Sequence, residues 1–143
     1  MKLTVSSQFV IGDYVKSSVS CHFDKIFQIS AITKAKVGVH EVPDKMLYIR
    51  NNEICCIPIT EEFLYLNGFK NNMQNYAYEQ YYTSDTLSAH VKINKVDNEF
   101  NVFAYNSAGD FICKKGVKHI HEFQHILRMI NFSSVANNFI FND

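Results

Sequence analysis

The sequence has little that would break, staple or anchor a chain. Two prolines and five glycines in 143 residues, without an internal repeat, a low-complexity segment or a linker, exclude the fibrous and disordered classes. Tryptophan is absent, so 12 Phe and 8 Tyr carry the whole aromatic content. Nowhere do 18 uncharged apolar residues follow one another, and the amino terminus MKLTVSSQFVIGDYVK lacks the apolar centre of a secretory leader. The chain is therefore expected in the cytosol, away from membranes. An excess of either charge is also missing, since 14 Lys and Arg balance 14 Asp and Glu. That balance removes the long-range attraction that draws nucleic-acid and anionic-membrane binders to their targets, and it disfavours nucleic acid as a partner. No Gly-rich phosphate loop or GxGxxG is present. A chain of this length buries roughly two thirds of its extended surface around a core, so it needs neither disulfides nor a structural metal. Cys21, Cys55, Cys56 and Cys113 accordingly read as reduced thiols. Adjacent strand residues face opposite ways, so Cys55 and Cys56 do not bridge, and Cys21 and His22 do not form a nucleophile and base.

What is present reads as an α+β domain. Residues 9–16, 23–33, 36–42, 46–50 and 53–59 are rich in Val, Ile, Phe and Tyr and are separated by turn signals such as Val42-Pro43-Asp44. Five short strands in so few residues predict a small, bent antiparallel barrel of the SH3-like kind. Asn51-Asn52 predicts a two-residue primed turn closing a hairpin. A short linking helix follows: Thr60 caps it, Glu61 and Glu62 face its positive end, and Gly68 stops it with Phe69 folding back onto Leu64. Strands at 76–83, 87–96, 100–106 and 111–114 then form a meander, covered by a helix over 117–131. In that helix Ile120, Phe123, Ile126, Leu127 and Ile130 share one stripe. The apolar tail Phe139-Ile140-Phe141 is expected to add a strand, to dock on the core, or to join copies of the chain. The whole is one domain, residues 1–143, with sub-halves 1–59 and 70–143 joined by the helix at 60–69.

Three groups of residues are candidates for chemistry or binding. His121, Glu122 and His125 spell HEFQH, a literal match to a zinc-protease string, with His119 beside it. No His, Cys or Glu lies downstream to supply a third ligand, while His22, His40 or His90 upstream could complete a site, so a metal-dependent hydrolase is the minor alternative. The cluster therefore reads as a polar helix face, with no metal, cofactor or catalytic residue assigned. Tyr76, Tyr78 and Tyr82 share one face of a strand as an aromatic stripe that either covers the sheet or receives a partner. Lys114, Lys115 and Lys118, at the entrance to the helix, could meet an anion with the backbone N–H groups there.

The order of short motifs adds a resemblance. Ile11-Gly12-Asp13-Tyr14-Val15, then Ile57-Pro58-Ile59-Thr60-Glu61-Glu62-Phe63-Leu64 with Asn67-Gly68-Phe69, then Val117 to Gln124, resemble a family of small phage and prophage proteins of Bacteroidales-type gut bacteria. The family pattern is IGNYV, IPLTEEWLLKFGF and YVHQLQNLYFALTG. This sequence departs from it after the last helix, at Asn131-Phe132-Ser133-Ser134. The pattern has Gln at the position of Glu122 and Asn at that of His125, which implies that HEFQH is accidental. The resemblance implies a viral protein acting in the host cytoplasm. With no catalytic constellation, the expected role is non-enzymatic: an accessory or anti-defence factor that sequesters or blocks a host protein or a small nucleotide signal. A virion or assembly component and an SH3-like nucleic-acid-binding module are the alternatives.

Overall fold

The structure, a computed structural model, describes residues 9–18, 25–33, 36–41, 45–72, 77–97 and 99–141. They form an α+β fold of two compact units, residues 1–57 and 58–143. The division falls two residues before the boundary expected at 59/60, and the short helix belongs to the second unit. Val42-Pro43-Asp44, Cys21, His22 and Tyr76 lie outside the described residues.

The first unit is a five-stranded antiparallel sheet in the order β4-β3-β2-β1-β5: β1 Tyr14–Ser17, β2 Phe27–Ile32, β3 Lys36–Glu41, β4 Lys45–Arg50 and β5 Ile54–Cys55. Its inward face is built by period-two alternation, which brings Val15, Phe27, Ile29, Val37, Val39 and Ile49 into one buried cluster with Phe9. Residues 9–13 form a turn rather than the start of a strand. Gly12 sits at φ +96°, its N–H donates to the Ile29 carbonyl at 2.8 Å, and the buried Asp13 carboxylate accepts the Val10 N–H at 2.9 Å.

The expected hairpin at Asn51-Asn52 is not formed. Residues Asn51–Glu53 make a 3-10 turn that passes the chain from β4 to the opposite edge, where β5 pairs with β1 through Lys16–Cys55 and Ser17–Ile54. A primed turn needs positive φ at both central residues, and neither asparagine has it. Among the described residues no pairing joins β4 to β5, so the sheet is open and no closed barrel is present.

The second unit is an antiparallel meander of five strands, β6 Lys70–Asn72, β7 Ala77–Thr83, β8 Ser88–Val96, β9 Glu99–Asn106 and β10 Phe111–Val117, each paired with its sequence neighbour. Before it comes helix α1, Glu61–Leu66. The Thr60 hydroxyl accepts the Phe63 N–H at 3.1 Å, and Glu61 and Glu62 occupy the first turn. Gly68 at φ +87° ends it, with Gly68 N–H to the Tyr65 carbonyl and Phe69 N–H to the Leu64 carbonyl.

Helix α2, Ile120–Met129, follows β10 and is shorter than the periodicity predicts, because Val117 still belongs to the strand. Its end repeats that of α1 with asparagine in place of glycine. Asn131 takes φ +71°, its N–H donates to Arg128, and Phe132 N–H donates to Leu127. A last helical turn, α3 Ser133–Ala136, is tied back by buried Gln124, whose amide donates to the Ala136 carbonyl at 2.7 Å.

The core of this unit is aromatic. Phe69 lies between Tyr82 and Phe123 at ring distances of 6.3 and 5.9 Å, and Tyr82 meets Phe132 at 5.7 Å. The tail docks on this core and adds no strand: Phe139 packs edge-on against Phe63 at 5.1 Å and parallel to Phe123 at 5.8 Å. Its burial removes that ring from the surface expected to join copies of the chain.

Candidate functional site

The sheet of the second unit has two unlike faces, set by alternation along β7, β8 and β9. Tyr78, Tyr82, Ala89, Val91, Ile93, Phe100, Val102 and Ala104 point to the side where α2 packs, and all are buried. Tyr78 and Tyr82, the described members of the tyrosine stripe, therefore face the core, so of the two expected roles they take that of covering the sheet and do not offer a surface to a partner. Tyr78 and Tyr82 are 6% and 8% exposed. Loss of solvation and then the adjacent Glu61 carboxylate push the Tyr78 phenol up to about 12, and burial raises that of Tyr82 further.

The residues of opposite parity line the other face. Tyr81, His90, Tyr105 and Phe111 are cross-strand partners on β7, β8, β9 and β10, and their rings form one continuous row. Tyr81 stacks on His90 at 4.1 Å with the planes 3° apart; His90 lies 6.1 Å from Tyr105, and Tyr105 6.0 Å from Phe111. The two outer members are open to solvent, Tyr81 at 68% and Phe111 at 59%. One pleat away runs a second register row of Glu79, Lys92, Phe103 and Lys114. The Lys92 ammonium stands 5.8 Å above Tyr105 and 3.7 Å from Glu79, and that of Lys114 stands 5.3 Å above Phe103.

His90 is kept neutral to lower pH than an ordinary imidazole. Burial is the largest cause, Lys92 adds to it, and Glu79, 3.9 Å from Nε2, offsets part. A neutral, flat ring under a stacked tyrosine makes the middle of the row a π surface rather than a charge. This face was missed in the sequence, although Lys114 was named; its members come from four strands, and no single segment spells them.

The histidine group has a different role. Glu122, at the third position of α2, accepts the N–H groups of Lys118 and His119 with one oxygen, at 3.2 and 3.1 Å, and that oxygen also lies 3.0 Å from His119 Nδ1. Burial alone would raise its carboxyl, but these bonds outweigh it and hold the group below the usual carboxylate range. The carboxylate is thus occupied in starting the helix. Two of the N–H groups at the β10–α2 junction, those of Lys118 and His119, expected to be available to an anion beside Lys114, Lys115 and Lys118, are taken by it.

His121 is buried, with its ring 5.8 Å from that of His119 and 5.7 Å from that of His125. Among the described residues no group of three or more His, Cys, Asp or Glu is placed to hold a metal ion. His90 is on the far face of the sheet from α2 and does not join His121 and His125. The three lysines diverge. Lys114 lies on the open face, Lys115 alternates to the other side of the edge strand β10, and Lys118 follows the strand's end. Cys55, Cys56 and Cys113 form no disulfide, and burial raises the Cys113 thiol.

No helix of the described residues is long and apolar enough to cross a membrane. Compared with protein-family models, curated proteins and solved structures, the chain matches none.

Proposed function

We propose that this chain is a non-enzymatic binding protein that works by occupying a host component through the open face of its second sheet. The observation that carries this reading is the in-register row Tyr81–His90–Tyr105–Phe111, in which Tyr81 stacks on His90, Tyr105 meets Phe111 edge-on, and both ends are exposed. Large rings fixed by a sheet lose little conformational freedom on binding, which suits a contact surface. The use of Glu122 as a helix cap supports a structural rather than catalytic role for HEFQH.

The motif resemblance extends the proposal: a viral accessory or anti-defence factor in the host cytoplasm. The finer fold reading of the first unit is SH3-like. It is supported by the strand order β4-β3-β2-β1-β5 and by the 3-10 turn that links β4 to β5.

The test is expression of the full chain in bacteria carrying individual defence systems, scored by phage plating. Restored plating in at least one system, lost again in Tyr81→Ala/Phe111→Ala, is the expected result. No restoration across a broad panel overturns the anti-defence role.

A further inference from the structure

The open face also indicates what kind of component it receives. We propose that the row Tyr81–His90–Tyr105–Phe111 is a stacking platform for the bases of single-stranded nucleic acid, with Lys92 and Lys114 meeting the phosphates. This rests on the reading of the chain as a binder that uses this face, and it narrows the bound component to one chemical class.

Three observations favour a single strand. The first is the geometry of the rings. Tyr81 is in parallel contact with His90 and is 68% exposed, so an unpaired base can extend that stack, while Phe111, edge-on to Tyr105 at the opposite end, offers a second exposed ring to another base. Base-on-ring stacking needs only a π face and tolerates any base, whereas the bases of a duplex are already stacked and out of reach. The second is the placement of cations. Lys92 and Lys114 sit in the neighbouring register row with their ammonium groups over Tyr105 and Phe103, beside the rings, where the backbone of a stacked strand would pass. The third is what the two rows lack. Neither carries an aliphatic side chain, and Lys and Glu stand where the centre of a protein interface is depleted of them. A free nucleotide is a poorer occupant, because small ligands are held in concave sites that cover most of their surface. The row is instead flat, and the shallow recess bounded by Thr83, Ser88 and Asn106 lies beyond it and contains none of its rings.

The zero net charge then predicts the character of the binding. With two lysines facing the strand, one of them already paired with Glu79, and no bulk attraction, stacking carries the affinity, and the slope of log K against log salt should be no steeper than about −1.4.

Fluorescence anisotropy with labelled oligothymidylate and oligoadenylate octamers, at low and moderate salt, tests this on the full chain. Both octamers should bind and the duplex of the same length should bind more weakly. Tyr81→Ala and Phe111→Ala should each weaken binding by between about 5- and 150-fold, and Lys114→Glu should weaken both octamers alike. Circular dichroism and a melting curve on each variant keep a folding defect from passing as a binding loss.

Absence of binding at low salt, equal binding of the duplex, or binding indifferent to both ring substitutions overturns the proposal. So does a concentration-dependent dimer, seen by light scattering, that Tyr81→Ala abolishes, since the face would then receive a second copy of this chain. If the octamers fail while plating is still restored and still depends on Tyr81 and Phe111, the binder reading stands and only the nucleic-acid assignment falls.

Discussion

Glu122 shows how much one side chain can decide. Its Oε1 reaches back to accept the N–H of the capping residue His119 and that of Lys118 just before it, which fixes the chain where the helix starts. Because the carboxyl is held below its ordinary value, the folded state binds its proton more weakly than the unfolded chain does. The stability it contributes is therefore full above the unfolded value of about 4.3 and is lost as pH falls through the lower folded value. Glu122→Gln keeps the size and removes the charge. It should cost about 0.5–1 kcal/mol at neutral pH, and the gap from the parent should close below about pH 4. Thermal melts across that range check the sign, and a gap equally wide at both ends would refute it. Tyr81→Ala is the opposite kind of change. Its ring is mostly in water, so stability should move by no more than about 0.5 kcal/mol.

At the scale of elements, α1 and α2 end in the same way with different residues at the left-handed position, Gly68 and Asn131. Left-handed backbone costs an L side chain about 1–2 kcal/mol, less for asparagine, and a β-carbon on Gly68 would also press on the Gln80 amide. Gly68→Ala should lose at least that amount, Gly68→Asn should lose less, and Asn131→Gly should be neutral or gain a few tenths. Urea midpoints order the three variants, and an Ala no worse than Asn at position 68 would contradict the account.

The α1 ending was legible in the sequence because Thr60, Gly68 and Phe69 lie within ten residues and act locally. The α2 ending was not, since Asn131 closes an apolar pattern without a break. Asn51-Asn52 misled for a related reason: asparagine pairs allow a primed turn, but the choice of β1 rather than β4 as the partner of β5 imposed a 3-10 turn. The tyrosines show the limit of period two. Alternation correctly places Tyr78 and Tyr82 on one face, but only the packing of α2 decides that this face is the core and that Tyr81 is outside. The ring row itself was beyond reach, because loop lengths bring residues 81, 90, 105 and 111 into register.

At the scale of the whole chain, the second unit is closed by its last residues. Asn67, at the end of α1, holds the backbone of Ile140 through two bonds across 73 positions: its amide donates to the Ile140 carbonyl at 2.9 Å, and its carbonyl accepts the Ile140 N–H at 2.8 Å. This clasp fixes the segment so that Phe139 turns inward onto Phe63 and Phe123, while the Ile140 side chain remains 52% exposed. Apolar residues adjacent in sequence should therefore respond in opposite ways. Phe139→Ala removes a buried ring from the aromatic core and should cost about 3–5 kcal/mol. Ile140→Ala should cost no more than about 0.5 kcal/mol, because the contribution of Ile140 to the clasp comes from its backbone. Asn67→Ala removes both clasp bonds, which lie near solvent, and should fall between them at about 1 kcal/mol. Denaturant titration of the three variants measures the order. If Phe139→Ala proves no costlier than Ile140→Ala, the tail is an appendage, and the core of this unit closes without it.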